Sequence, residues 1–236
     1  MRIFFQTLLM LMTISFSASN TYAANDDIDD LRNDPHANEW KVVKVDKSHK
    51  ITAYDKRNLN QSIRSLKVEF EIDGSLTDIA TVAFDYENYK KWWWEILDCR
   101  LLKKVSDTEF YYYVKYRAPF PLPPRDSINR VIIEPYTKLR GYAKITLSAS
   151  PKYLPTYPSI VRMPGHDMSF TFTPTAEKNI YKGLVEGFIE PGGNPPDWAV
   201  NAVQRNAPYQ TVLGLQRMVK LAHNKTPKTD ALFPLE

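Results

Sequence analysis

Residues 63–73 impose the tightest constraint on how this chain can fold. Leu66, Val68, Phe70 and Ile72 alternate there with Lys67, Glu69 and Glu71. A period of two puts the apolar side chains on one face of an extended strand and the charges on the other. The strand is therefore half-buried, and its apolar face must be covered by something else. Similar extended runs follow or precede it: 41–45 and 50–57, which read as a first hairpin, then 96–105, 108–117, 127–136, 142–150, 168–173 and 180–190. Fourteen tyrosines and seventeen prolines suit such a chain, since tyrosine packs well on a pleated surface and proline stiffens the loops between strands. The prolines gather in three connections, 117–125, 151–158 and 191–196.

Only two segments have helical spacing. Ser75-Leu76-Thr77-Asp78 is a capping box, and Ile79, Val82, Ala83, Tyr86 and Tyr89 follow it, predicting one helix that ends near Lys91. Residues 196–222 read as a long helix whose apolar positions include Trp198, Ala202, Val203, Tyr209, Leu213 and Val219, with a kink expected at Pro208. Consecutive strands with short links make an antiparallel meander with one wet and one apolar face. One long helix is available to cover the apolar face. The expected fold class is α+β, a curved antiparallel sheet wrapped around the C-terminal helix, and the space between them is a natural ligand cavity.

The first residues read as an export signal. Met1-Arg2 is followed by a mostly apolar run over 3–16, then by small residues ending in Thr21-Tyr22-Ala23. The run is short of the roughly 20 residues needed to span a bilayer and matches a cleavable signal peptide over 1–23. An acidic leader over 24–39, a single domain over 40–223 and a loose polar tail over 224–236 complete the expected organisation. Cys99 is the sole cysteine, so no internal disulfide forms and no lipoprotein cysteine follows Ala23. A periplasmic location is expected.

The chemistry of the chain is quiet. Its 31 basic and 27 acidic side chains are scattered, which argues against a nucleic-acid partner. His36, His49, His166 and His223 lie far apart with no metal-ligand spacing, so no metal is expected. There is no Gly-x-Ser-x-Gly elbow, and Gly192-Gly193 reads as a turn rather than a phosphate loop. No cofactor and no catalytic residue is expected.

Four stretches in order resemble the START domain, the steroidogenic-acute-regulatory-related lipid-transfer family. They are Asp85 through Trp92 at the end of the first helix, Pro121-Leu122-Pro123-Pro124-Arg125-Asp126, Ile160-Val161-Arg162, and Glu190-Pro191-Gly192-Gly193-Asn194-Pro195-Pro196-Asp197-Trp198 running to Asn201. The match spans residues 40–219, and one departure is Glu190 where the family has aspartate before Pro-Gly-Gly. The resemblance implies the helix-grip fold, with a sheet gripping the last helix around an apolar tunnel. Several members hold a buried acid–base pair there. The corresponding positions are Val114 and Val131, so that pair is expected to be missing unless the neighbouring Arg130 turns inward. Arg125-Asp126 is expected to be a structural ion pair at a strand start.

The implied ligand-lining set is Trp94, Tyr112, Val114, Tyr116, Val131, Ile133, Phe170, Ala202, Val203 and Asn206, with Phe120, Leu122 and Trp198 as gating or membrane-contact residues. Phe110, Tyr112, Val114 and Tyr116 share a strand face that suits either a plain core or a cavity wall. Trp92 or Trp93 is expected in the core, and Trp94 toward the tunnel. The function expected is that of a monomeric, non-enzymatic periplasmic carrier. It would bind one hydrophobic lipid (sterol-like, fatty acid or phospholipid) and touch membranes transiently. The alternatives are a helix-grip enzyme of the aromatase/cyclase or small-molecule hydrolase type, and a ligand-controlled sensor.

Overall fold

The computed structural model describes residues 39–57 and 64–223. The signal peptide expected over 1–23, the leader up to residue 38 and the tail over 224–236 lie outside the described residues. Among those described, ten strands form one sheet in the order β1-β2-β3-β10-β9-β7-β6-β5-β4. The strands are β1 Lys41–Asp46, β2 Ile51–Arg57, β3 Arg64–Asp73, β4 Ile96–Lys104, β5 Glu109–Tyr116, β6 Arg125–Glu134, β7 Ala143–Ala149, β8 Val161–Arg162, β9 Gly165–Pro174 and β10 Ile180–Glu190. Every pairing is antiparallel except that of the two-residue β8, which adds to β6 in parallel. The order follows a meander at both ends and one long return, β10 closing against β3, so the expected α+β helix-grip architecture is present.

Alternation sets which face each residue takes. In β3 the apolar positions Leu66, Val68, Phe70 and Ile72 are all buried, as the period of two requires. Helix α1, Leu76–Ala83, begins at the predicted capping box: the Asp78 N–H donates to Ser75 Oγ (3.1 Å) and the Ser75 N–H to Asp78 Oδ2 (2.9 Å). The expectation of one helix to Lys91 is corrected. Helix α1 stops at Ala83, Asp85 takes a non-helical ψ of 60°, and a separate 3-10 helix spans Tyr86–Lys91. The Asp85 carboxylate accepts both contacts from the Asn88 amide (2.8 Å), a local bond that competes with continued α-helix. The break swings Phe84, Tyr86 and Tyr89 inward, where Phe84 meets Phe110 edge-on (5.7 Å) and Tyr89 meets Tyr112 (6.3 Å).

Helix α2, Asp197–His223, runs unbroken through Pro208 and packs on β3, β2 and α1. Gly214 permits its closest approach. A Cβ there would sit 2.2 Å from the Trp92 carbonyl oxygen, a backbone atom that has no room to yield. Beneath this contact Val212, Leu215 and Val219 are buried in the main core. Gly214→Ala is therefore expected to destabilise the fold by about 3 kcal/mol through overpacking. Urea denaturation of both proteins checks it, and an unchanged midpoint would mean that α2 does not press on Trp92.

Candidate functional site

Between the sheet and α2 lies a cavity of about 1110 Å³, counted to its open mouth. One wall is helical: Ala199, Val200, Val203, Gln204, Ala207, Pro208, Thr211 and Val212 repeat at three- and four-residue spacing along a single face of α2. The opposite wall comes from sheet residues that alternate inward, among them Leu66 of β3, Tyr116 of β5, Met168 and Phe170 of β9, and Val185 and Ile189 of β10. Trp93 and Trp94 close one side, and Ala118, Pro119 and Leu122 of the loop between β5 and β6 close another. A second, much smaller space lies deeper, walled by Tyr89, Phe110, Tyr112, Val131 and Leu147. Trp93 and Phe170 border both spaces, their rings 6.0 Å apart and edge-on, so they form an aromatic partition between them.

The lining is overwhelmingly apolar, with a few polar groups at one end. Arg64 pairs with Asp55 (2.8 Å) and Arg117 with Glu95 (3.3 Å). His166 is only 2% exposed and its Nδ1 has no hydrogen-bond partner. Burial pulls its imidazole down to about 4, so it stays neutral at ordinary pH. Burial also pushes the Tyr116 and Tyr112 hydroxyls well above their usual range. The Cys99 thiol is pushed up to about 12 by burial and offers no thiolate. Among the described residues no group of three His, Cys, Asp or Glu is arranged to hold a metal ion.

No family model matches the chain. Among curated proteins it is 24% identical to an uncharacterized protein of Pseudomonas aeruginosa, over 76% of this chain and 86% of that one. It is also 24% identical to the phosphatidylcholine transfer protein of Mus musculus, over 76% of this chain and 82% of that one. Among solved structures it superposes on a STAR-related lipid transfer protein from Xanthomonas axonopodis with a TM-score of 0.68 and 25% identity, covering 77% of this chain and 98% of that one.

The chain has the fold of a START domain. Of the residues expected to line its cavity, Trp94, Tyr116, Phe170, Val203 and the loop residue Leu122 do so. Tyr112 and Val131 line the deeper chamber instead. Val114 and Ile133 are buried but border neither space, so they are core. Ala202 and Asn206 are corrected: both are exposed, and the Asn206 amide donates to the Ala202 carbonyl (2.8 Å). Small residues such as Ala199, Ala202 and Ala207 leave no clear apolar stripe on α2, so the sequence does not define its cavity face. Phe120 is 92% exposed and Trp198 52% exposed, each next to a lining residue but outside the START cavity.

Arg130 turns outward to Glu109 (2.8 Å) while Val131 is buried, so neither aligned position supplies a buried acid–base pair. The expected Arg125-Asp126 pair is overturned. The two neighbours alternate to opposite faces of β6, and Asp126 receives a bidentate Arg162 (2.7 and 3.0 Å) while Arg125 lines the cavity. The site set inferred from sequence also lacks Trp93, Met168, Val185 and His166. The run Trp92-Trp93-Trp94 does not itself say which indole faces the cavity, and His166 reads as a lone histidine without metal-ligand spacing.

Histidine burial has a measurable consequence. An unfolded imidazole binds its proton near 6.5, whereas His166 in the fold binds one only near 4. Between those values the unfolded chain carries the extra proton, so His166 favours unfolding progressively as pH falls below about 6.5. Wild type should therefore lose roughly 2 kcal/mol relative to His166→Gln between pH 7 and pH 5. Urea titrations of both proteins at the two pH values measure it; a constant gap would mean that the imidazole is accessible to protons in the fold.

Proposed function

We propose that this protein binds one hydrophobic lipid in the START cavity and carries it between membranes through the periplasm, without changing it chemically. The observation that carries the reading is the apolar cavity itself, enclosed between α2 and the sheet and lined by aromatic and aliphatic side chains on every wall. Protein interiors are normally close-packed, so an apolar void between helix and sheet has a cost that a bound apolar molecule removes. Each 100 Å² of apolar ligand surface transferred from water contributes about 2.5 kcal/mol to binding. The likeness to a phosphatidylcholine transfer protein over most of both chains supports a lipid as the occupant. The apolar segment 3–16 with its small-residue end at Ala23 supports export.

Exchange requires the ligand to leave by a route that does not cross water. The loop between β5 and β6 presents Phe120 outward and Leu122 inward, and the start of α2 presents Trp198 outward beside Ala199. Apolar side chains exposed on both sides of a cavity mouth are suited to dip into a bilayer surface while the lipid passes.

Native mass spectrometry of protein purified from periplasm should find one lipid per chain, and purified protein should move a fluorescent lipid from donor to acceptor vesicles. Phe120→Ser and Trp198→Ser should each slow that transfer by about tenfold, the loss of one inserted aromatic side chain, with the folded stability unchanged. An absence of bound lipid together with background transfer rates for sterols, fatty acids and phospholipids would overturn the carrier reading. Conversion of a bound lipid to a new compound would make the protein an enzyme.

A further inference from the structure

One end of the cavity holds a cation without a counter-ion. Arg125 is 6% exposed, lines the cavity and has one hydrogen-bond partner among the described residues, the Pro123 carbonyl, reached by Nη1 at 2.6 Å. Among the described residues no carboxylate pairs with it. A guanidinium remains charged in any protein environment, and a charge buried without a partner is expensive. The obvious candidate, Asp126, is committed on the far face of β6 to Arg162.

The groups beside Arg125 are donors or neutral. Tyr116 is its register partner across β5 and β6, and the Tyr116 ring lies 6.0 Å from that of His166. These three side chains therefore meet at one end of the cavity, next to the loop between β5 and β6. Among the described residues no acidic side chain contributes to the lining, whose charged members are Arg64, Arg117 and Arg125. The carboxylates on the adjoining strands face elsewhere. Asp167 accepts from the Ala149 N–H (3.3 Å), and Glu190, opposite Gly165 on β10, is not part of the lining. A guanidinium, a phenol and a polar imidazole atom with no partner form a cradle suited to negatively charged oxygen atoms.

We propose that Arg125, Tyr116 and His166 form an anion subsite, and that the carried ligand is an amphiphile with an anionic head, carboxylate or phosphate, whose tail fills the apolar chamber. The inference rests on the carrier reading and narrows its substrate class. An uncharged ligand such as a sterol leaves Arg125 without a counter-ion in an apolar cavity, whereas an anionic head supplies both charge and acceptors.

The test uses the delipidated full chain and pairs of ligands matched in tail. Titration calorimetry compares palmitate with hexadecanol, and vesicle co-sedimentation compares phosphatidic acid with diacylglycerol. The anionic member of at least one pair should bind tenfold or more tighter, and the preference should vanish in Arg125→Gln and survive in part in Arg125→Lys. The His166 ring resonances in NMR should shift with palmitate and not with hexadecanol, a readout that holds even if the Gln variant fails to fold. Equal binding within both pairs by wild type overturns the subsite while leaving the carrier intact. Binding of neither member of either pair removes the carrier reading and this inference with it. Saturation of the His166 shift by acetate or inorganic phosphate alone, at the same concentrations, assigns the cradle to a small free anion and overturns the amphiphile.

Discussion

The buried ion pair between Asp126 and Arg162 organises the part of the molecule on which the site depends. Asp126 sits on the outer face of β6 and is 1% exposed in its side chain, and Arg162 is 7% exposed. Arg162 does more than neutralise a charge. It also donates to the carbonyls of Pro151, Leu154 and Pro155, so the proline-rich segment before β8 is held across the outer face of the sheet. Tyr153 and Tyr157 of that segment then pack on Tyr111 and Tyr113 of β5. Removing either charge would leave the other buried and unpaired, which is more damaging than never having had the pair. Because Asp126 is fixed outward, the period of two turns Arg125 inward.

A cavity in the middle of a core must be kept from collapsing. Here the rigid walls are aromatic. Tyr89 packs against Trp92, Trp93 and Tyr112, and Trp93 in turn against Phe170. Rings of this size with two side-chain torsions cannot fold into the void as a methionine would. Helix α2 is held off the sheet on this side and pressed close on the other, where Gly214 lies against the Trp92 backbone. The same helix therefore supplies tight core packing along its second half and a cavity wall along its first. Stability and ligand space are separated along one element, so the cavity does not weaken the contacts that hold the helix in place.

Much of this was legible from the sequence. The alternation in β3, the capping box at Ser75 and the uninterrupted pattern of strands followed by one long helix led directly to a curved antiparallel sheet gripping a helix. Leu66, Val68, Phe70 and Ile72 are buried as their spacing requires, and the outward turn of Arg130 follows from the same parity that buries Val131. These features depend on local geometry, in which side-chain direction repeats every two residues in a strand and 3.6 in a helix.

What the sequence could not determine is which partner each group meets across long separations. Arg125 and Asp126 are adjacent charges that read as a pair, yet Asp126 finds Arg162, 36 residues later, on the opposite face. Trp93 reads as core and is a partition, because its role depends on where Phe170 of β9 is placed. His166 reads as a lone histidine, and only the approach of β5 and β6 puts Tyr116 and Arg125 beside it. The sequence by itself determined the elements, their faces and the need for a covered apolar surface, because these arise from short-range periodicity. The tertiary structure alone decided which inward-facing residues surround empty space and which charge is left without a partner, because both depend on the distances between strands and helix that no local pattern encodes.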